Sequence, residues 1–122
     1  LVAVARDVDS FPHCLPRQYV APAQLTASES ARLEADFIKI AEAIGVRSGP
    51  FYVEFRLDAQ GQAFALEAEP TLPAYAARLV GEAFDLDVNQ LFLETAVEGA
   101  VPHELATDVR PHACRAAACR AG

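Results

Sequence analysis

The sequence predicts an α+β fold in which an antiparallel sheet containing a β-hairpin is packed by helices on one side. Three observations predict it. Leu33, Phe37, Ile40, Ala41 and Ile44 recur at three- and four-residue steps, the signature of a helix with one apolar stripe. Two apolar, β-branched and aromatic runs, residues 51–57 and 62–68, flank the turn sequence Asp58-Ala59-Gln60-Gly61, the signature of a hairpin. Two further stretches of helical composition, residues 74–84 and 88–97, follow.

Taken in order, residues 1–5 are small and apolar and suit a short buried strand that runs into the polar loop Arg6-Asp7-Val8-Asp9-Ser10. Pro12, Pro16 and Pro22 then keep residues 11–25 irregular or extended. Thr26 followed by Glu29 has capping-box spacing, so the first helix starts there, and Gly45 is the natural left-handed stop. In the hairpin, a four-residue connection pairs Leu57 with Gln62. Counting back puts Phe55 opposite Phe64, Val53 opposite Leu66 and Phe51 opposite Ala68, an entirely apolar face. The other face sets Tyr52, Glu54 and Arg56 against Glu67, Ala65 and Ala63, with Glu54 and Glu67 diagonal neighbours roughly 7 Å apart at the backbone. Pro73 fits the first turn of the next helix, whose inner face draws on Tyr75, Leu79 and either Val80 or Phe84. Asp85-Leu86-Asp87 is a turn and cap, and Val88, Leu91, Phe92 and Thr95 mark a third helix ending at Glu98-Gly99. Residues 101–122 have no clear period and read as a disordered tail or the truncated start of a further element.

The 122 residues suffice for one domain or a piece of a larger one, and 52% hydrophobic against 22% charged residues supplies a core. A net charge of -7 and a pI near 4.8 have the wrong sign for counterion-release binding to nucleic acid. No membrane span or signal peptide is visible, so a soluble cytoplasmic protein is expected. The lack of any Met, with Leu1 first, suits a processed chain or a fragment with an unseen upstream part. Cys14, Cys114 and Cys119 are odd in number and irregularly spaced, so reduced thiols are expected.

The chemistry rests on Glu54 and Glu67. Like carboxylates held close on a sheet face repel, and a cation between them resolves the conflict. Mg²⁺ is commonly held by one or two carboxylates together with substrate phosphates, so the pair suits a Mg-nucleotide better than an all-protein cage. A solvated sheet face is the plain alternative, and spacing by itself favours it.

An ordered series of features bears on that balance. Tyr19-Val20-Ala21-Pro22-Ala23-Gln24-Leu25 leads through Ala43-Ile44-Gly45-Val46 to Phe51-Tyr52-Val53-Glu54-Phe55-Arg56. Asp58 and Gly61 follow, then Ala65-Leu66-Glu67-Ala68-Glu69-Pro70, with Asp85-Leu86-Asp87 and Glu98-Gly99 beyond. Over residues 1–100 this order resembles the C-terminal half of an ATP-grasp domain, the C-terminal subdomain of a carboxylate–amine ligase. The resemblance implies that Glu54 and Glu67 bind Mg²⁺, with Mn²⁺ as its substitute, bridging the ATP phosphates. It also implies small-molecule carboxylate and amine substrates, an acyl-phosphate intermediate, and a missing N-terminal part of the same domain as partner. The family's second strand usually ends Glu-x-Asn-Pro-Arg, whereas this one reads Glu67-Ala68-Glu69-Pro70-Thr71. Glu69 still offers a metal an oxygen, but Thr71 brings no positive charge. The glycine-rich run after this motif is replaced by Leu72-Pro73-Ala74-Tyr75. The family's phosphate-covering loop and nucleotide-binding lysine belong to its earlier half, and the single lysine here, Lys39, falls on an exposed helix face, so the chain alone is expected not to turn over. Neither substrate identity nor oligomeric state follows from these residues.

Other signals weigh less. Arg56 shares the Glu54 face and is a candidate catalytic residue contacting phosphate or carboxylate, with a salt bridge to Glu54 or Glu67 as its alternative. His112, Cys114 and Cys119 match no common zinc spacing, and His13-Cys14 lacks an orienting third group. Asp85 and Asp87 read as a helix cap, and Tyr75 and Phe92 as core. The remaining alternatives to a ligase are a non-catalytic ATP-grasp relative and an acidic α+β interaction module without metal.

Overall fold

The computed structural model describes residues 2–99 and 114–117. The elements run β1 (Ala5–Val8), β2 (Pro16–Ala21), α1 (Ala27–Ala43), β3 (Tyr52–Leu57), β4 (Ala63–Glu69), α2 (Ala74–Phe84), α3 (Val88–Glu98) and β5 (Cys114–Ala117). They form two compact units. Of the described residues, one unit takes 2–24, 74–88 and 114–117, and the other 25–73 and 89–99.

In the first unit β2 is the central strand of an antiparallel sheet ordered β1-β2-β5. The expected buried strand at residues 1–5 is displaced: β1 begins at Ala5, takes in Arg6 and Asp7, and is largely exposed. Its place is set by pairing, Ala5 with Val20 and Asp7 with Gln18, below a loop closed by Asp9 N–H donating to the Leu15 carbonyl at 2.8 Å. Residues 11–25, expected to be irregular or extended, are both: a loop and then the extended strand β2. Pro12 lies in the loop, Pro22 follows the strand, and Pro16 takes the strand's first position, where a missing N–H is tolerated. β5 is a strand where no period was legible, pairing Ala21 with Cys114 and Gln18 with Ala117. The rest of residues 101–122 lies outside the described residues. Helix α2 packs on β2 through Ala21, Leu79 and Ala83, so small residues at the contact bring helix and strand together. Tyr75 and Phe84 flank that core half-buried, and Tyr75 stacks on Tyr19 with ring centroids 4.1 Å apart.

The second unit sets α1 beside the β3–β4 hairpin. Both halves of the capping box are present: the Thr26 hydroxyl accepts from Glu29 N–H, and the Glu29 carboxylate accepts from Thr26 N–H at 2.8 Å. The helix ends as expected at Gly45 (φ +79), with Val46 N–H donating to the Ala41 carbonyl and Gly45 N–H to that of Glu42, a Schellman closure. Leu33 is buried, Phe37 meets Phe51 at 5.1 Å, and Arg32 Nη2 donates to the Gly61 carbonyl at 2.8 Å, tying the helix to the hairpin turn. Of the α3 residues in this unit, Thr95 is buried and Leu91 and Phe92 are half-buried, as expected; Val88, at the start of the helix, is buried in the first unit. The Thr95 hydroxyl donates to the Leu91 carbonyl at 2.7 Å.

The hairpin register departs from expectation in two places. Asp58 and Gln62 close the turn instead of Leu57 and Gln62, through Asp58 N–H to the Gln62 carbonyl at 3.0 Å and Gly61 N–H to the Asp58 carbonyl at 3.0 Å. The loop therefore has three residues, with Gly61 left-handed (φ +74) and Asp58 Oδ1 accepting from Gln60 N–H and Gln62 N–H. Leu57 then pairs with Ala63, Arg56 with Phe64, and Phe55 with Ala65. A bulge follows, because Glu54 pairs with Glu67 and skips Leu66. The expected apolar pairs Phe55–Phe64 and Val53–Leu66 do not form, and Phe64 and Leu66 remain 49% and 58% exposed.

Candidate carboxylate site on the hairpin

The corrected register sharpens the carboxylate pair. Glu54 and Glu67 are directly opposite each other rather than diagonal, which places their Cβ atoms roughly 4.5–5.5 Å apart. Strand alternation adds Tyr52 opposite Glu69 on one side of the pair and Arg56 opposite Phe64 on the other. One face of a two-stranded sheet thus carries three carboxylates, a phenol, a guanidinium and an exposed aromatic ring. All six lie in the second unit.

Glu54 is half-buried, and its Oε2 accepts from the Tyr52 hydroxyl at 3.2 Å. Glu67 is exposed, and Glu69, the last residue of β4, is half-buried. The Thr71 hydroxyl donates to Glu69 Oε2 at 3.3 Å, so the residue standing where the family pattern has a base orients an acid instead. Arg56 is exposed and, among the described residues, forms no ion pair with Glu54 or Glu67. Lys39 is bound to Asp36 at 3.1 Å with its side chain 74% exposed. His13 and Cys14 are exposed in the β1–β2 loop, whereas His112 and Cys119 lie outside the described residues.

Among the described residues, no three His, Cys, Asp or Glu side chains converge as a metal cage. Two opposed carboxylates with one exposed side fit the other mode of Mg²⁺ binding, in which phosphates and waters complete the oxygen set. A cleft of about 160 Å³ lies under the hairpin turn, lined by Arg32, Leu33, Leu57 and Gly61 among others. Its strand residues Leu57 and Ala63 alternate to the face opposite Glu54 and Glu67, so the cleft is separate from the carboxylates. Sequence reasoning placed Tyr52 on the Glu54 face without giving it a role, and the signal was there: a phenol two residues from an acid on one strand shares its face. Phe64 was assigned to the wrong face, since only the turn type and the bulge reveal its side.

No family model matches the chain, and no curated protein does. Among solved structures, the fold is similar to the crystal structure of L-amino acid ligase from Bacillus licheniformis, with a TM-score of 0.71 and 25% sequence identity over 82% of this chain. The chain spans about a quarter of that ligase's length. No helix among the described residues is long and apolar enough to cross a membrane. Together, the antiparallel sheets, the hairpin and the structural likeness make this an α+β chain of ATP-grasp-like fold.

Proposed function

We propose that this chain is the C-terminal part of an ATP-grasp ligase that joins a carboxylate to an amine, with amino acids as the substrate class. The observation that carries the reading is the direct opposition of Glu54 and Glu67 across the hairpin. The likeness to an L-amino acid ligase supports the choice of chemistry.

In this reading Glu54 and Glu67 would hold Mg²⁺, and Glu69, further along the same face and hydrogen-bonded to Thr71, would have to turn toward them to add an oxygen. The ion, when bound, offsets negative charge on the phosphoryl oxygens. Arg56, one residue pair along the same face, contacts phosphate or a substrate carboxylate through its forked N–H groups. In the intact protein the substrate carboxylate takes the γ-phosphoryl group of ATP, and the amine then displaces phosphate from the acyl phosphate. No side-chain nucleophile is needed, and positioning supplies most of the catalysis. A cytoplasmic setting, where ATP is abundant, suits this role.

A second reading, a non-catalytic relative that keeps the fold for binding or assembly, is favoured by one observation: Thr71, in place of a basic residue, donates to Glu69. The test is an NMR titration with Mn²⁺, with and without ADP. Broadening centred on residues 52–54 and 65–69, strengthened by ADP and lost in Glu67→Ala, is the expected result. Diffuse broadening over every acidic segment, indifferent to ADP, would sink the nucleotide reading.

A further inference from the structure

We infer that Tyr52 is a positioning residue for Glu54 in the Mg-nucleotide site, an inference that rests on the nucleotide reading above. Three observations carry it. The Tyr52 hydroxyl donates to Glu54 Oε2 at 3.2 Å, and both side chains are half-buried, so the contact is shielded from the full competition of water. The two residues are i and i+2 on β3, so their side chains leave the strand on the same face. Tyr52 is also directly opposite Glu69, which places the phenol between two of the three acids on that face.

The physical consequence concerns which oxygen meets the ion. A carboxylate with one oxygen held by a hydroxyl has fewer rotamers available, and its second oxygen is turned in a defined direction. Glu54 is half-buried and Glu67, opposite, is exposed. A metal-ligating carboxylate is commonly oriented by such an outer hydrogen bond, and removal of the partner usually weakens metal binding by about 10- to 100-fold.

The experiment measures the affinity of Mn²⁺·ADP for the 122-residue chain by paramagnetic broadening, in the wild type and in Tyr52→Phe, with thermal melting of both. The expected result is binding weakened by about 10- to 100-fold in the variant, with an unchanged melting temperature. The residual broadening should shift from residues 52–54 toward residue 67. Equal affinity and an equal broadening pattern in the two proteins would overturn the positioning role and leave the nucleotide reading intact. Failure of the wild type to bind Mn²⁺·ADP at all would overturn both. A second readout uses only the wild type: on titration with diamagnetic Mg²⁺·ADP, the Tyr52 ring ¹³Cζ resonance should move in step with the Glu54 amide. A Cζ resonance that stays still while the Glu54 amide moves would overturn the inference even if Tyr52→Phe did not fold.

Discussion

Glu67 is the residue at which a like-charge contact and the proposed metal role meet. It faces Glu54 directly across the strand pair, and like charges in that arrangement destabilise a sheet. Glu67→Gln removes that like-charge contact, which as a single cross-strand pair is worth about 0.2–1 kcal/mol in urea unfolding. The same change should abolish the stabilisation given by Mg²⁺·ADP. A variant that lost stability without metal and kept the nucleotide effect would show that the pair is an ordinary solvated face. Gly81 makes the opposite point about size. It sits inside α2, where alanine is ordinarily preferred by about 1 kcal/mol. A Cβ there would meet the Leu86 carbonyl oxygen at 2.9 Å, because the chain folds back over Gly81 through Leu86 N–H donating to its carbonyl at 3.0 Å. Gly81→Ala should accordingly destabilise the protein by about 1–3 kcal/mol, the usual cost of overpacking. An increase in melting temperature would contradict this.

At the scale of elements, legibility followed locality. Thr26 and Glu29 lie three residues apart, and the capping box they predict is present with both hydrogen bonds. Helix α2 spans the predicted residues 74–84, and Gly45 ends α1, because periodicity and a left-handed stop are properties of a short window. The hairpin was legible and its register was not. Asp58 can begin a four-residue connection or close a three-residue loop, and only the hydrogen bonds to Gln60 and Gln62 select the second. A one-residue difference reverses every face, which is why Phe64 was misplaced, while the bulge at Leu66 restored Glu67 to the Glu54 side. β5 was illegible for another reason: its partner β2 is most of the chain away, and four small or polar residues carry no period. The cap also makes a pH prediction. Hydrogen bonds from the Thr26 hydroxyl and backbone N–H, with Arg32 nearby, hold the Glu29 carboxyl below the ordinary carboxylate range. A carboxyl whose value is lowered by folding contributes stability above its unfolded value and loses it as pH falls through its folded value. Thr26→Ala should cost about 1 kcal/mol at pH 7. That difference should shrink in acid, once Glu29 is protonated in both proteins. A penalty constant from pH 7 to pH 2 would show that Glu29 adds nothing to the cap.

On the scale of the whole molecule, what matters is how much of the proposed ligase chemistry this chain could carry. The site residues Tyr52, Glu54, Arg56, Glu67 and Glu69 all belong to one unit. Catalysis by positioning needs more, because the phosphates must be covered as well as anchored. The single lysine is bound to Asp36 on the surface of α1, and the chain spans about a quarter of the ligase it resembles. Binding without turnover is the combination expected. At a Mg²⁺·ADP concentration about 100 times the dissociation constant, ligand linkage should add about 2.7 kcal/mol to the unfolding free energy of the 122-residue chain. Under the same conditions with ATP and a mixture of L-amino acids, no phosphate should be released above the background rate. The two readouts separate the two halves of the argument. Stabilisation accompanied by phosphate release would mean that the chain carries its own covering groups and that Lys39 or Arg56 leaves its present position to act. Neither stabilisation nor release would remove the nucleotide from the hairpin face.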